Sequence, residues 1–152
     1  MKVLIITYYW PPAGGSGVQR WLKFVKYLQN FNIEPVVYTI SNPNYPTEDH
    51  SLLNEIPENI EILKHPIWEP TNILFWKKNL QHNSGISNTS KSSFLSFIRG
   101  NFFIPDPKLF WIKPSVNYLQ KYLNKTTVDV IISSGPPHST HLIAQKLHQK
   151  NK

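Results

Sequence analysis

The residues best suited to bind a ligand begin at a glycine pair near the start of the chain. Gly14, Gly15 and Ser16 follow an apolar stretch and precede a helical pattern. Glycines in that place let backbone N–H groups approach a ligand closely, and the positive end of the helix dipole favours phosphate. Glycines that only close a strand-to-helix turn explain the spacing equally well. The segment is therefore a candidate phosphate site, with a simple turn as the open alternative.

A second group of polar residues lies in the later part of the chain. His138 and His141 stand near the start of the last helical pattern. They could share a metal ion, but no third ligand has suitable spacing, so no metal site is predicted, and His138 is a candidate polar contact to a ligand. Asp106, between two prolines, either presents an acid to a substrate hydroxyl or caps the helix that follows. The cap is the favoured interpretation.

Two common nucleotide motifs are excluded by their missing parts. The dinucleotide fingerprint needs a tight glycine turn and an acid at the end of the second strand, and residues 39–46 contain no acid. The phosphate-binding loop of many ATPases needs a glycine followed by lysine, and no glycine of the chain is followed by lysine. Nicotinamide binding and ATP hydrolysis by that loop are therefore not expected.

Length and composition indicate one folded domain. The chain has 152 residues, 40% hydrophobic and 13% aromatic, which suffices for a single core. It contains no cysteine, which excludes disulfides, thiolate nucleophiles and cysteine-bound metals. No apolar stretch is long enough to span a bilayer or to form the core of a signal peptide. We therefore expect a soluble or peripheral protein.

The charge is positive and unevenly distributed. The formal net charge is +7, yet seven of the nine acidic residues lie between positions 34 and 69. Such a layout favours a phosphate-bearing or membrane-surface partner over a uniformly basic nucleic-acid binder, although a lysine-rich solubilising surface is the open alternative. Fourteen of the sixteen cations are lysine, which also argues against base-specific recognition of DNA. Nucleic acid is thus an unfavoured partner.

Hydrophobic periodicity predicts alternating strands and helices. Apolar runs with β-branched residues predict buried strands, and apolar residues at a spacing of three and four predict helices. Ser16 and Gln19 have the spacing of a capping box, and Pro114 suits a first helical position. The predicted strands are 2–7, 35–40, 60–63 and 128–133, and the predicted helices are 17–29, 114–123 and 139–149, with a short one at 52–56.

This order predicts an α/β fold of the Rossmann-like, doubly wound type: a mainly parallel sheet with helices on both faces. Residues 64–112 do not fit regular α/β structure. Residues 73–80 could form a helix, and residues 81–93 have the serine and asparagine content of a mobile loop. A doubly wound half-sheet adds strands after a last helix such as this one, so we expect the domain, residues 1–152, to be incomplete at its C-terminus.

Three stretches together resemble one known family. They are MKVLIITYYWPPAGGSGVQRWLKFVKYL at the start, FFIPDPKLFW in the middle and DVIISSGPPHSTHLIA near the end. In order and spacing they resemble the N-terminal half of glycosyltransferase family 4 proteins, which are retaining enzymes of the GT-B fold. The resemblance covers nearly the whole chain, and the first and third stretches are its most specific parts.

The resemblance implies a metal-independent sugar transfer from a nucleotide-sugar donor to a saccharide or lipid-linked acceptor, in the synthesis of a surface polysaccharide or glycolipid. It implies no cofactor beyond the donor substrate. Gly14, Gly15 and Ser16 would contact the donor diphosphate. A C-terminal domain, absent here, would hold most of the donor, so no catalytic residue is assigned and this chain alone is expected to be inactive. The residues expected to border the acceptor cleft are Tyr9, Arg20, Asp106, Trp111 and His138.

A second reading needs no missing domain. The basic charge and the aromatic residues also suit a non-catalytic module that binds an anionic or phosphorylated ligand or a membrane surface. A third, weaker alternative is single-stranded nucleic acid, although the aromatics do not alternate along a strand as stacking would require. The expected location is the cytoplasm, with peripheral contact at the inner face of the plasma membrane left open.

Overall fold

The computed structural model describes residues 1–67 and 105–151, and it shows a Rossmann-like α/β fold. Four parallel strands form one sheet in the order β3-β2-β1-β4. The strands are β1 (Lys2–Thr7), β2 (Glu34–Ile40), β3 (Glu61–His65) and β4 (Val130–Ser134). The helices are α1 (Ser16–Leu28), α2 (Leu109–Leu123) and α3 (Ser139–Lys150), with 3₁₀ turns at Gln29–Phe31 and His50–Glu55.

The sheet is built around β1, which pairs with β2 on one side and β4 on the other. Ile5 lies opposite Val37 of β2 and opposite Ile132 of β4. The chain therefore runs outward from β1 to β3 and then returns to the other side of β1 to form β4. This reversal confirms the predicted doubly wound order and creates a switch point between β1 and β4.

Alternating residues of the strands build two separate cores, one on each face of the sheet. Leu4 and Ile6 of β1 point to the face covered by α2 and α3, and Val3 and Ile5 point to the face covered by α1. The period of two along a strand produces this division. It also explains the unbroken apolar runs in the sequence, because a strand covered on both faces has no solvent side.

Most predicted elements are confirmed within about two residues, but the cap of α1 and the start of α2 differ from the prediction. Ser16 is the first residue of α1, with no side-chain cap, because Gly15 occupies the capping position. The capping box prediction was wrong. Helix α2 begins at Leu109, so Pro114 lies inside it rather than at its start. Burial of Trp111 and Ile112 against the sheet offsets the hydrogen bond that the proline cannot make.

The short helix expected at 52–56 is the 3₁₀ turn His50–Glu55, which Asp49 caps through a hydrogen bond from the Ser51 N–H, 3.0 Å long. The expectations for residues 73–80 and 81–93 lie outside the described residues. In the described ranges, no helix combines the length and apolar character needed to cross a bilayer.

An aromatic stack fills the core between the sheet and α2. The indole of Trp111 is fully buried and lies nearly parallel to the ring of Tyr38, with centroids 5.5 Å apart and an interplanar angle of 11°. The Tyr38 hydroxyl donates to Ser115 Oγ over 2.8 Å. Burial raises the pKa of Tyr38 well above its ordinary value, because the phenolate would lose its hydration.

We expect this buried tyrosine to make the fold sensitive to alkali. Its neutral form stabilises the folded state at every pH below about 10, the pKa of an unfolded tyrosine. Above that pH the unfolded chain loses the proton while folded Tyr38 keeps it, so the free energy of unfolding falls by up to about 1.4 kcal/mol per pH unit. Denaturant unfolding of the parent and Tyr38→Phe between neutral pH and pH ~11 measures this slope. Equal slopes in the two proteins would contradict the assignment.

Candidate functional site

The switch point lies at the carboxyl ends of β1 and β4, and we call the space between the two loops that leave these strands the crevice. The loop 8–15 leaves β1 and leads into α1, and the loop 135–138 leaves β4 and leads into α3. The Trp21 indole N–H of α1 donates to the Ser134 hydroxyl at the end of β4, which ties the two sides together. Ligands of open α/β sheets bind at such a place.

The glycine loop is held in place by the segment that follows β2. The Gly14 N–H donates to the Thr47 carbonyl over 2.9 Å, and the Asp49 N–H donates to the Pro12 carbonyl over 2.7 Å. Ala13 and Glu48 form an antiparallel bridge between these two bonds. The Gly14 N–H is thus already used inside the protein, which removes it from the predicted set of phosphate-binding donors.

Gly15 has the backbone conformation that a side chain would oppose. Its φ is +108°, in the region that favours glycine, and no atom lies within 4 Å of where a Cβ would be. Its carbonyl accepts hydrogen bonds from the N–H groups of Val18 and Gln19, each 3.2 Å long. The glycine at position 15 is therefore a requirement of the backbone as well as a candidate ligand contact, and substitution there strains the fold.

The start of α1 offers unused donors. Within the described part of the chain, the N–H groups of Gly15, Ser16 and Gly17 donate to no acceptor, as expected for the first residues of a helix. All three residues are exposed, and the first turn of α1 contains no acidic residue. No acidic side chain of the first turn of α1 itself offsets the partial positive charge of the helix start. An anion with several oxygens fits these donors.

The start of α3 is different because Asp106 already occupies it. Asp106 Oδ2 accepts from the Ser139 N–H over 2.7 Å, and Oδ1 accepts from the Ser139 hydroxyl and the Lys108 N–H, both over 2.8 Å. The carboxylate thus caps α3 and orders the turn that precedes α2. Asp106 is therefore a capping residue, but it caps α3 and not the helix that follows it in the sequence, since the start of α2 has no side-chain cap.

The residues expected at the acceptor cleft separate into two groups. Tyr9 is half-buried, its ring 5.8 Å from that of Tyr45, while Arg20 and His138 are exposed near the starts of α1 and α3. These three remain candidates to border the crevice. Trp111 has no exposed surface and belongs to the core, which corrects its expected place at the cleft.

His141 is fixed beside the crevice rather than free. Its Nδ1 lies 2.9 Å from Ser133 Oγ, and its Nε2 lies 2.7 Å from where a Cβ of residue 135 would be, so a larger residue at position 135 would displace the imidazole. The rings of His138 and His141 are 6.0 Å apart. Among the residues that the structure describes, no group of three histidine or acidic side chains could hold a metal ion.

One concavity in the described ranges lies away from the switch point. An open hollow of about 650 Å³ lies between the end of α1 and residues 54–58, with Lys23 and Glu55 on its lining. These two side chains form an ion pair. The hollow has mixed charge and no unpaired helix start, so we assign the candidate site to the crevice instead.

Sequence reasoning missed the residues that position the crevice. The carbonyl of Thr47 holds the glycine loop by a hydrogen bond. The hydroxyl of Ser134 holds Trp21 of α1. Ser139 holds the start of α3 against Asp106. The two serines had a weak signal, since hydroxyl residues at the carboxyl end of a parallel strand or the start of a helix commonly make such contacts. Thr47 had none, because its role depends on a carbonyl.

Comparison of the chain with protein-family models, curated proteins and solved structures finds no match.

Proposed function

We propose that this chain is the acceptor-side domain of a retaining glycosyltransferase, which moves a sugar from a nucleotide-sugar donor to a saccharide or lipid-linked acceptor. The observation that carries the proposal is the start of α1. It presents the N–H groups of Gly15, Ser16 and Gly17 at the switch point without any protein acceptor among the described residues. The family resemblance of the sequence supports the specific reaction.

In this reaction the bond between the anomeric carbon and the diphosphate oxygen breaks, and negative charge develops on the leaving phosphate. Donors aimed at that charge lower the barrier because they need no reorganisation as it forms. The free N–H groups and the dipole of α1 would supply this stabilisation. Because the segment after β2 braces the loop, the donors are positioned before the ligand arrives.

The acceptor would lie along the side of the crevice formed by Tyr9, Arg20 and His138. The half-buried ring of Tyr9 offers a stacking surface, and the cation of Arg20 lies one turn from the start of α1 without an ion pair among the described residues. Asp106 acts indirectly, by fixing the start of α3 and with it His138. A second domain would complete the donor site.

Gly17 provides the sharpest test of the α1 donors. A methyl group at residue 17 meets no atom within 4 Å and suits a helix, so Gly17→Ala should keep or raise the melting temperature. The methyl would crowd an anion at the helix start, and we expect kcat/KM for sugar transfer by the full reading frame to fall roughly tenfold or more. Gln19→Ala, also exposed on α1, is the matched control and should change neither quantity.

Measuring the binding of inorganic pyrophosphate to this protein helps to distinguish a glycosyltransferase domain from a non-catalytic anion-binding module. Pyrophosphate binding that Gly17→Ala weakens, together with sugar transfer by the full reading frame, supports the transferase. Pyrophosphate binding without transfer to any saccharide or lipid-linked acceptor supports the non-catalytic anion-binding module. Sugar transfer unaffected by Gly17→Ala would exclude the α1 start as the diphosphate site.

A further inference from the structure

We propose that the hollow beside the second half of α1 binds a segment of a neutral oligosaccharide. Its volume of about 650 Å³ lies within the usual range of ligand sites. One wall is the end of α1 with the 3₁₀ turn that follows, and the other is residues 54–58, which lead toward β3. The crevice lies at the opposite end of α1, so the hollow is a second site, and the proposal does not rest on sugar transfer.

Two side-chain contacts join the walls of the hollow. The Lys23 ammonium pairs with the Glu55 carboxylate, and Gln29 Nε2 donates to Asn59 Oδ1 over 3.1 Å. A single exposed contact of this kind adds little stability, but each one fixes the distance between the two segments that it joins. The hollow is therefore a built feature of the fold with a defined width.

Four further polar side chains line the hollow and are available to a ligand. They are Lys26 and Asn30 on the first wall and Asn54 and Glu58 on the second. None of the four makes a side-chain hydrogen bond or an ion pair with the residues that the structure describes. The amides both donate and accept, the ammonium only donates, and the carboxylate only accepts. Sugar hydroxyls, which donate and accept at once, can pair with every member of this set.

The hollow also offers apolar surface. The ring of Tyr27 is 52% exposed on its lining, and the half-buried Ile56 and Pro57 belong to the other wall. A pyranose has a face of C–H groups that packs on an aromatic ring as other apolar surfaces do, while its hydroxyls point outward to polar groups. The combination of one exposed ring with planar amides and a carboxylate thus suits a sugar.

The charges of the lining favour a neutral ligand over an ion. Lys23 and Glu55 compensate each other, and the remaining charges, on Lys26 and Glu58, are opposite in sign. A phosphate chain or an acidic peptide would be attracted by one and repelled by the other. Because the hollow is open, a ligand can continue beyond it, which fits one segment of a longer saccharide.

The test is an NMR titration of the ¹⁵N-labelled full chain with maltotetraose, cellotetraose and mannotetraose. We expect at least one of them to shift the side-chain amide signals of Asn30 and Asn54. Tyr27→Ala should weaken that binding roughly tenfold, because the stacking surface is lost, whereas Tyr27→Phe should stay within about threefold. The matched control is Phe24→Ala. Phe24 is 51% exposed on the same helix but lies outside the lining, so its loss should change binding less than about twofold.

Two charge variants test whether the ligand is neutral. Lys26→Gln and Glu58→Gln each keep a polar group and remove a charge, so each should change the affinity less than about threefold, and added salt should have little effect. A loss of tenfold or more in either variant would show a charged ligand and overturn the proposal.

Three other results would also overturn it: no shift with any of the three saccharides, shifts confined to Gly15, Ser16 and Gly17 at the crevice, or equal losses from Tyr27→Ala and Phe24→Ala. The site is read from binding at the hollow, so failure of sugar transfer at the crevice would leave this result unchanged. The exposed positions of Tyr27, Lys26 and Glu58 predict unchanged melting temperatures in their variants.

Discussion

Replacing Trp111 by alanine is expected to lower the free energy of unfolding by about 3 to 5 kcal/mol, the largest effect of any single change considered for this chain. The indole is fully buried and contacts Tyr38 face to face and Tyr8 edge to face, with centroids 5.5 and 5.9 Å away. Alanine would leave a cavity between α2 and the sheet that the helix cannot close without moving. Denaturant unfolding followed by circular dichroism measures the loss.

Trp111→Phe separates the loss of the whole ring from the loss of the indole N–H alone. Phenylalanine keeps a ring against Tyr38, and it removes the indole N–H from a fully buried position. We therefore expect a loss of less than about half of that in Trp111→Ala. If alanine and phenylalanine cost the same, or if alanine leaves stability unchanged, the core assignment of Trp111 is incorrect and a cleft position becomes the better explanation.

Replacing Asp106 by alanine is expected to lower the free energy of unfolding by roughly 3 kcal/mol. The change removes three hydrogen bonds to a carboxylate, and it leaves the fully buried Ser139 without its acceptors. It also removes the negative charge at the positive end of α3. Hydrogen exchange at the amides of Thr140 and His141 should become faster than in the parent protein, because the first turn of α3 loses its cap.

Asp129→Ala is the control for Asp106→Ala. Asp129 is exposed, and its carboxylate accepts from the Lys2 N–H over 2.6 Å. One exposed contact predicts a loss below about 1 kcal/mol. Asp106→Asn should lie between the two, since the amide keeps one acceptor oxygen and places a donor against the other partner. A loss from Asp106→Ala no larger than that from Asp129→Ala would return Asp106 to the list of ligand contacts.

The strands of the sheet were predictable because local sequence patterns indicate which segments are extended and buried on both faces. Residues 2–7 read as a strand buried on both faces, and β1 is buried from Val3 to Thr7. The period of α1 likewise predicted which of its residues pack inward, including Val18, Leu22 and Val25. Such patterns report burial, and burial decides the fold class. The order of the strands then followed from the rules for parallel connections.

Details that depend on distant residues were not predictable in the same way. Asp106 binds Ser139, 33 residues later, and Gly14 binds the carbonyl of Thr47. A local reading can identify a capping residue but not the helix that receives it. For the same reason Ser16 was given a capping role that the backbone of Gly15 took, since the +108° φ of that glycine is set by the braced loop.

Whether Trp111 faces a cleft or the core depended on where α2 begins. A helix starting at Pro114 would leave the tryptophan in the preceding loop, at the surface. The helix begins at Leu109 instead, which turns Trp111 and Ile112 inward. The proline rule describes a cost of a few kcal/mol, and the burial of two large side chains exceeds it. Tertiary packing thus reversed a local preference.

The position of β1 also determines the order in which its two edges can be paired while the protein is being synthesised. On the ribosome, β1, α1 and β2 can assemble once Ile40 has emerged, because Lys2 pairs with Glu34 and the connection is short. The other edge of β1 pairs with Val130 to Ser134, which are made more than a hundred residues later. Until β4 has been made, β1 is therefore an edge strand, with apolar side chains and unpaired backbone groups exposed.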